Sequence, residues 1–263
     1  MVFKTLLLKI FPWTKGIRYF TLRRLWVACH RLPTISLEQI GAAGIEVEPA
    51  IKEDICMPPY YNFTDHDDYA PLIKIAKFIQ PETILELGTA YGNTVANLCR
   101  QLPEVQVVTV NAPVEVQTGQ VTTFDLTVDE IGRVYRQHGF SDRVTQIFEN
   151  TLNLDLSLCF DEPCVDLAII DACHDTNFVI NDFHKVRPFI RSGGMVLLHD
   201  THPSIKGHLE GSYKACVALR KEGFDIRHLK GTWWGIWRNG NQKGRNPLME
   251  TREIKRSSYP VVP

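Results

Sequence analysis

The sequence lacks several features that would place it in a well-marked class of proteins. Its seven cysteines are scattered and include no C-x-x-C pair, which argues against a disulfide framework and a thiolate zinc site. The longest apolar run near the start covers residues 6–8 and ends at Lys9, which is too short for a signal peptide or a membrane span. We therefore expect a soluble, cytoplasmic protein in a reducing compartment.

An overall excess of charge of one sign is also missing. The formal net charge is -1 over 263 residues, so nothing in the composition predicts binding to nucleic acid, and a small-molecule partner is expected instead. A hydrophobic content of 44% in a chain of this length is enough to bury one large α/β core.

Residues 1–31 are an exception to this charge balance, because the first acidic residue of the chain is Glu38. Aromatic and aliphatic residues are interleaved with the basic ones. Three interpretations are open: a helical cap packed on the domain, a contact with an anionic membrane surface or another subunit of a homo-oligomer, and an organellar targeting peptide. The basic residues of this arm are Lys4, Lys9, Lys15, Arg18, Arg23, Arg24 and Arg31.

Beyond a soft boundary near residue 60, strand-like and helix-like apolar blocks alternate, which is typical of βα repeats and a parallel sheet. The pattern predicts an α/β fold, Rossmann-like and doubly wound, whose mostly parallel sheet ends in an antiparallel C-terminal edge hairpin. Residues 1–60 would form the basic arm and cap, residues 61–240 the domain, and residues 241–263 a tail. Strands are predicted at 83–87, 106–110, 144–148, 165–170 and 195–199, hairpin strands at 224–229 and 232–238, and helices at 68–79, 93–102, 128–138, 178–190 and 213–221.

The most informative segment is Glu86-Leu-Gly88-Thr-Ala-Tyr-Gly92, which follows the first predicted strand and opens a helix. Gly88 allows a tight turn and a close approach of backbone to a ligand, and Gly92 opens the helix at its positively polarised end. A dinucleotide fingerprint would read G-x-G-x-x-G, but Ala90 replaces its second glycine and Gly92 comes one residue early. The segment therefore predicts a cofactor turn and disfavours NAD.

This E-x-G-x-x-x-G pattern resembles the first motif of class I S-adenosylmethionine-dependent methyltransferases. The resemblance implies that Glu86 organises the methionine end of the cofactor. Asn111 ends the next strand where such enzymes commonly carry an acid for the ribose, and its amide oxygen can still accept one hydrogen bond. The residues expected to bind S-adenosylmethionine are Glu86, Gly88, Thr89, Ala90, Tyr91, Gly92, Asn93, Asn111, Asn150 and Asp171.

Two later strands end in acidic residues, Asp171 and Asp200. In a parallel sheet of this type they would project into one crevice, where two carboxylates suit a hard divalent cation such as Mg²⁺, with His199 completing the site. His174 lies three residues beyond Asp171 and is a candidate general base. Two alternatives are open: the aspartates cap loops or contact the cofactor without metal, and His174 is a loop histidine hydrogen-bonded to Asp171 or a carbonyl.

The stretch from Ile170 to Thr201 resembles the catechol O-methyltransferase-like and cephalosporin hydroxylase or macrocin O-methyltransferase-like proteins. This resemblance implies an O-methyltransferase that acts on a hydroxyl of a small sugar, phenolic or natural-product acceptor, with a divalent metal assisting. A hydroxylase-like or oxidoreductase activity on the same fold and a non-catalytic, cofactor-binding partner subunit are the alternatives. The matching residues are Asp171, His174, Asp182, Phe183, Gly193, Gly194, His199 and Asp200.

Overall fold

The computed structural model describes residues 12–51, 68–114, 126–203 and 210–240. The chain divides into two compact units, residues 1–32 and residues 33–263. The first contains one long helix, α1 (Pro12–Cys29), in the basic arm; its membrane and subunit contacts stay predictions. The domain boundary expected near residue 60 and the tail at 241–263 lie outside the described residues. Within the described parts of the chain, no helix is both long and apolar enough to cross a bilayer.

The second unit alternates helices and strands. Its helices are α2 (Leu37–Ile40), α3 (Tyr69–Ile79), α4 (Asn93–Gln101), α5 (Arg133–Gln137), α6 (Thr176–Val186) and α7 (Glu210–Lys221). Its strands are β1 (Thr34–Ile35), β2 (Thr83–Leu87), β3 (Gln106–Asn111), β4 (Val144–Phe148), β5 (Val165–Ile170), β6 (Ile190–Leu198), β7 (Arg227–Leu229) and β8 (Gly235–Arg238). Short 3₁₀ turns cover Ser141–Arg143, Leu156–Leu158 and Arg187–Phe189.

The eight strands form one sheet in the order β1-β7-β8-β6-β5-β2-β3-β4. Strands β6, β5, β2, β3 and β4 run parallel, whereas β8 is antiparallel to both β6 and β7. Every residue of β2 and β5 is buried, because central strands of a parallel sheet are covered by helices. The predicted α/β class with a mostly parallel sheet and an antiparallel C-terminal hairpin is confirmed.

The predicted element boundaries hold for most of the sheet and differ elsewhere. The hairpin strands predicted at 224–229 and 232–238 are shortened to β7 and β8, and the helix predicted at 178–190 ends at Val186. The helix expected at 128–138 is confined to α5, because Gly132 adopts a φ of +74° and its N–H donates to Ala90 O. Residues 192–194, expected as the turn before the fifth strand, lie inside β6, which begins at Ile190. The two-residue strand β1 continues the sheet beyond the C-terminal hairpin, in a segment that was assigned to the basic arm and cap.

Candidate functional site

The strand order places three chain segments at one edge of the sheet. Strand β2 is paired with β5, which is paired with β6, and all three are parallel. Their carboxyl ends therefore meet at the same edge, where ligands of open α/β sheets bind. The predicted cofactor turn follows β2, Asp171 follows β5, and His199 and Asp200 follow β6. The topology thus brings together the cofactor turn and the two acidic strand ends that the sequence predicted.

The predicted cofactor turn is held by backbone contacts with β3. The N–H groups of Gly88 and Thr89 both donate to Val110 O, at 2.8 and 3.2 Å. Gly88 has a φ of +107°, and a Cβ at this position would lie 2.1 Å from the carbonyl oxygen of Asp171. The turn and the end of β5 are therefore in direct backbone contact, which only glycine permits.

Asn111 supports this turn from the end of β3. Its side-chain oxygen accepts a hydrogen bond of 3.0 Å from Ala90 N, and its amide nitrogen donates to Ala112 O at 3.0 Å. Ala90 itself has a φ of +45°, an uncommon conformation for a residue with a side chain. The bond from Ala90 N therefore gives Asn111 a local structural role, which the sequence analysis did not anticipate. Its predicted contact with the ribose stays a prediction.

The start of α4 is suited to the methionine end of S-adenosylmethionine. Gly92 precedes the helix with a φ of +82° and offers no side-chain cap to its first N–H groups. Such unpaired N–H groups and the helix dipole attract a carboxylate. The buried Oδ1 of Asn93 receives no hydrogen bond from the part of the chain that is described, and it is an acceptor suited to an ammonium group. The donor and acceptor set fits an amino acid moiety.

Glu86 lies beneath the turn and is only 1% exposed. Its Oε2 accepts a 2.5 Å hydrogen bond from the Thr109 hydroxyl. The Thr109 hydroxyl has one proton, which it already donates to Glu86. In the 2.7 Å contact between the hydroxyls of Thr89 and Thr109, Thr89 must therefore be the donor. Gln146 then donates to the Thr89 hydroxyl at 3.0 Å. Glu86 is thus the terminal acceptor of a buried chain that reaches three strands and the turn.

Burial raises the pKa of Glu86 to about 8, against the lowering effect of the bond from Thr109. The folded protein thus holds this proton over a pH range in which the unfolded chain releases it, so this group's contribution to stability is lost as pH rises from 4.5 to 8. Glu86→Gln lacks this titration, so its free energy of unfolding should increase relative to that of the wild type across this range. The expected increase is a few kcal/mol, on the order that corresponds to the pKa shift of Glu86. Urea titrations between pH 5 and pH 9 measure the difference.

Glu130→Gln is the matched control for this experiment. Glu130 is partly exposed, and hydrogen bonds from Thr127 lower the pKa of its carboxyl group, so its protonation does not change between pH 5 and pH 9. Its stability difference from the wild type should therefore stay level. A Glu86→Gln curve that runs parallel to the wild-type curve would show that Glu86 is already ionised in the folded protein.

Tyr91 and Asn150 have local partners. The Arg133 guanidinium lies 5.3 Å from the centroid of the Tyr91 ring, and Tyr91 O accepts from Val134 N at 2.9 Å. Asn150 follows β4, and its Oδ1 accepts from Leu152 N at 3.0 Å, closing a turn of its own loop. The structure gives both residues a structural contact, and their predicted contacts with the cofactor stay predictions.

Asp171, His174 and Asp200 form the polar cluster beyond the ends of β5 and β6. One potential ligand atom from each lies within 4.8 Å of the others. His174 Nδ1 lies 3.3 Å from Asp200 Oδ2 and 3.5 Å from the Ser212 hydroxyl. Within the described residues, Oδ1 of Asp200 is buried and accepts no hydrogen bond, and its one ion-pair contact is His199 Nδ1 at 3.5 Å, which leaves it able to bind a further group. Two carboxylates and an imidazole fit a divalent cation.

His199, which the sequence analysis placed among the metal ligands, has a different environment. Its Nδ1 lies 3.1 Å from Asp171 Oδ1, and its Nε2 lies 3.1 Å from Asp68 Oδ2. Both ring nitrogens therefore face carboxylates and carry protons, which leaves neither lone pair for a metal. The structure thus brings His174, rather than His199, together with the two aspartates.

The electrostatics of the cluster follow from these contacts. Burial opposes the charged form of His199, but the carboxylates of Asp171 and Asp200 outweigh it and raise its pKa well above the usual value. Burial likewise opposes the charged form of Asp171, yet His199 lowers the pKa of that carboxyl. For Asp200, burial dominates and raises the pKa, although His199 and His174 partly offset it. Asp171 is thus the more firmly ionised of the two aspartates.

Asp68 and Ser212 were missed by the sequence analysis. Asp68 contacts His199 from the start of α3, and Ser212 contacts His174 from α7. Neither residue belongs to a motif, and both reach the cluster only through tertiary packing.

Comparison with known proteins is consistent with this geometry. Residues 85–201 match the model of a family described as a methyltransferase domain, and this range includes both the turn and the cluster. Among curated proteins, no sequence matches the chain significantly.

Solved structures share the fold. A protein assigned as a caffeoyl-CoA O-methyltransferase from Staphylococcus aureus is 14% identical, with a TM-score of 0.52 over 91% of this chain and 100% of that one. A Podospora anserina methyltransferase bound to S-adenosylhomocysteine is 16% identical, with a TM-score of 0.50 over 66% of this chain and 78% of that one.

The family match and the shared fold define residues 85–201 as a methyltransferase domain with a Rossmann-like architecture. The matched range contains the motifs that carry the resemblance to the catechol O-methyltransferase-like group, and the prediction of a methyltransferase is confirmed for this range.

Proposed function

We propose that this protein transfers the methyl group of S-adenosylmethionine to a hydroxyl oxygen of a small molecule. The observation that carries the proposal is the convergence of Asp171, His174 and Asp200 beside the cofactor turn, at adjacent carboxyl ends of the sheet. Methyl transfer requires an electron-rich acceptor oxygen held in line with the sulfonium methyl group, so the site must position and deprotonate an alcohol.

His174 is the proposed general base. Its Nδ1 lies near the carboxylate of Asp200, and no described residue hydrogen-bonds its Nε2. An imidazole that donates through Nδ1 to a carboxylate keeps its lone pair on Nε2, which can take the proton of the acceptor hydroxyl. Asp200 thus orients the ring and stabilises the charge that the ring acquires.

A divalent cation is the proposed assistant to this step. Asp171 and Asp200 supply carboxylate oxygens, which both Mg²⁺ and Mn²⁺ accept as ligands, so His174 is not required as a metal ligand. Such an ion, when bound, would lower the pKa of an acceptor hydroxyl and orient it. Asp171 is the better anchor, because His199 keeps its carboxyl group ionised.

In the proposed reaction, the bond between the methyl carbon and the cofactor sulfur breaks as the bond between carbon and the acceptor oxygen forms. The sulfur keeps the bonding electron pair, so S-adenosylhomocysteine leaves as a neutral thioether. The hydroxyl proton passes to Nε2 of His174 and then to solvent. No further reactant is required.

Two measurements test this proposal. Calorimetric titration with S-adenosylmethionine and with NAD is expected to show binding of the first only, with a Kd near the micromolar range. A coupled assay for S-adenosylhomocysteine is then run on a panel of sugar, phenolic and natural-product hydroxyl compounds, with EDTA, Mg²⁺ or Mn²⁺. Acceptor-dependent formation of S-adenosylhomocysteine is expected, with higher rates when a metal is present.

The alternative functions give different results in the same measurements. Binding of NAD would favour an oxidoreductase on this fold. Binding of S-adenosylmethionine without turnover on any acceptor would favour a non-catalytic partner subunit.

A further inference from the structure

Asp68 is the last residue before α3 and does not cap that helix. An aspartate at this position normally accepts a hydrogen bond from the first turn, which is worth about 1 kcal/mol. Here the side chain makes no such bond. Its carboxylate instead contacts His199 and Trp233, which lie far away in the sequence.

Both carboxylate oxygens of Asp68 are engaged. Oδ1 accepts a 2.8 Å hydrogen bond from Trp233 N, and Oδ2 lies 3.1 Å from Nε2 of His199. The backbone carbonyl of Asp68 also accepts from the indole Nε1 of Trp234, at 3.0 Å. Asp68 therefore joins the start of α3, the end of β6 and the turn before β8.

His199 is consequently held at both ends of its ring. Its other nitrogen bonds to Asp171, and the Trp234 ring lies against it with a centroid distance of 4.4 Å. A ring held by two carboxylates on opposite sides cannot rotate without losing both bonds. His199 in turn engages Oδ1 of Asp171, so the orientation of the Asp171 carboxylate depends on Asp68 through a single intermediate side chain.

We propose that Asp68 is a positioning residue for the active site: through His199 it sets the orientation of the Asp171 carboxylate, and thereby of the cation and acceptor that Asp171 holds. This inference rests on the proposed function. Asp68 is not among the contacts of Asp200 or His174, and it acts through His199, whose Nδ1 lies 3.1 Å from Asp171 Oδ1 and 3.5 Å from Asp200 Oδ1.

Asp68→Asn is the decisive variant. Asparagine keeps the shape and can still accept from Trp233 N, but it cannot offer carboxylate oxygens to both Trp233 and His199. Loss of a residue that orients a metal ligand without binding the metal itself costs about 10–100-fold in metal affinity or activity. We expect the affinity for Mn²⁺ alone, measured by electron paramagnetic resonance, and the kcat for methyl transfer each to fall by about tenfold or more. The Kd for S-adenosylmethionine should remain within about twofold of the wild type.

Two further variants distinguish a positioning role of Asp68 from a general contribution to the stability of the fold. Asp68→Glu retains a carboxylate and is expected to recover part of the Mn²⁺ affinity. Asp225→Asn is the matched control, because Asp225 is an exposed carboxylate paired with Arg220 and Arg227 on the surface, and it should leave all three measurements unchanged.

The inference is overturned if Asp68→Asn leaves Mn²⁺ affinity and kcat at the wild-type level. It is also overturned if S-adenosylmethionine affinity and the thermal midpoint fall together with them and Asp68→Glu recovers nothing, since that is general destabilisation. A wild type that transfers no methyl group, while Asp68→Asn still weakens Mn²⁺ binding, overturns only the proposed function. A wild type that binds no Mn²⁺ and transfers no methyl group overturns both.

Discussion

Replacing His174 with alanine is expected to lower kcat for methyl transfer by about 10²–10⁴-fold, the usual contribution of a positioned general base. The expectation follows from the contact between His174 Nδ1 and Asp200 Oδ2, which leaves Nε2 for the acceptor proton. The Kd for S-adenosylmethionine should stay within about twofold, because the cofactor turn lies on a different strand end. Initial rates and calorimetry on the same preparation measure the two quantities.

His184→Ala provides the matched control for His174→Ala. His184 lies on α6, and its ring pairs with Glu222 at 2.9 Å where both side chains are more than a third exposed. An exposed pair of this kind contributes little to stability, and the kcat should remain at the wild-type level. Retained activity in His174→Ala would contradict the general-base role and leave His174 as a loop histidine, the alternative that its sequence context also allows.

Replacing Gly88 with alanine is expected to destabilise the protein by about 2–5 kcal/mol and to abolish detectable binding of S-adenosylmethionine. The added Cβ would lie 2.1 Å from Asp171 O and 2.9 Å from Ala172 N, both backbone atoms that cannot move aside cheaply. The φ of +107° adds a steric cost of about 1–2 kcal/mol for any side chain, and overpacking adds about 1–3 kcal/mol. A fall in the thermal midpoint of roughly 10 °C is expected for a chain of this size.

Gly139→Ala separates these two costs. Gly139 also has a positive φ, +76°, but an added Cβ would meet no atom within 4 Å. It should therefore lose only about 1–2 kcal/mol, from the backbone conformation alone, and bind S-adenosylmethionine normally. Equal losses of stability in the two variants would show that the turn and the end of β5 are not in close contact in solution.

Much of the fold could be predicted because its signals are local. Strands β2, β4 and β5 begin and end at the predicted residues, since short runs rich in β-branched and apolar residues between turn residues specify strands. Gly88 and Gly92 mark the cofactor turn, since their positive φ values favour glycine over any residue with a side chain.

Local signals were misleading where tertiary contacts override them. The apolar pattern of residues 128–138 has helical spacing, but the N–H of Gly132 donates a hydrogen bond to Ala90 O instead of to the helix. The helix therefore begins only at Arg133. Strand β6 continues through Gly193 and Gly194, although glycines normally signal a turn. Glycine is needed at position 194 because a Cβ there would lie 2.9 Å from Asp166 O on β5. Both exceptions are close backbone approaches to a neighbouring element.

By itself, the sequence determined the class of fold, the cofactor turn and the presence of Asp171 and Asp200 at the reactive edge, because carboxyl ends of parallel strands always share one edge. Only the tertiary structure decided which histidine faces which carboxylate. His174 and His199 are both near the aspartates in sequence, yet His199 is held by Asp68, a residue brought in from before the first core helix. Hydrogen-bond partners across such separations depend on side-chain directions, which no local periodicity encodes.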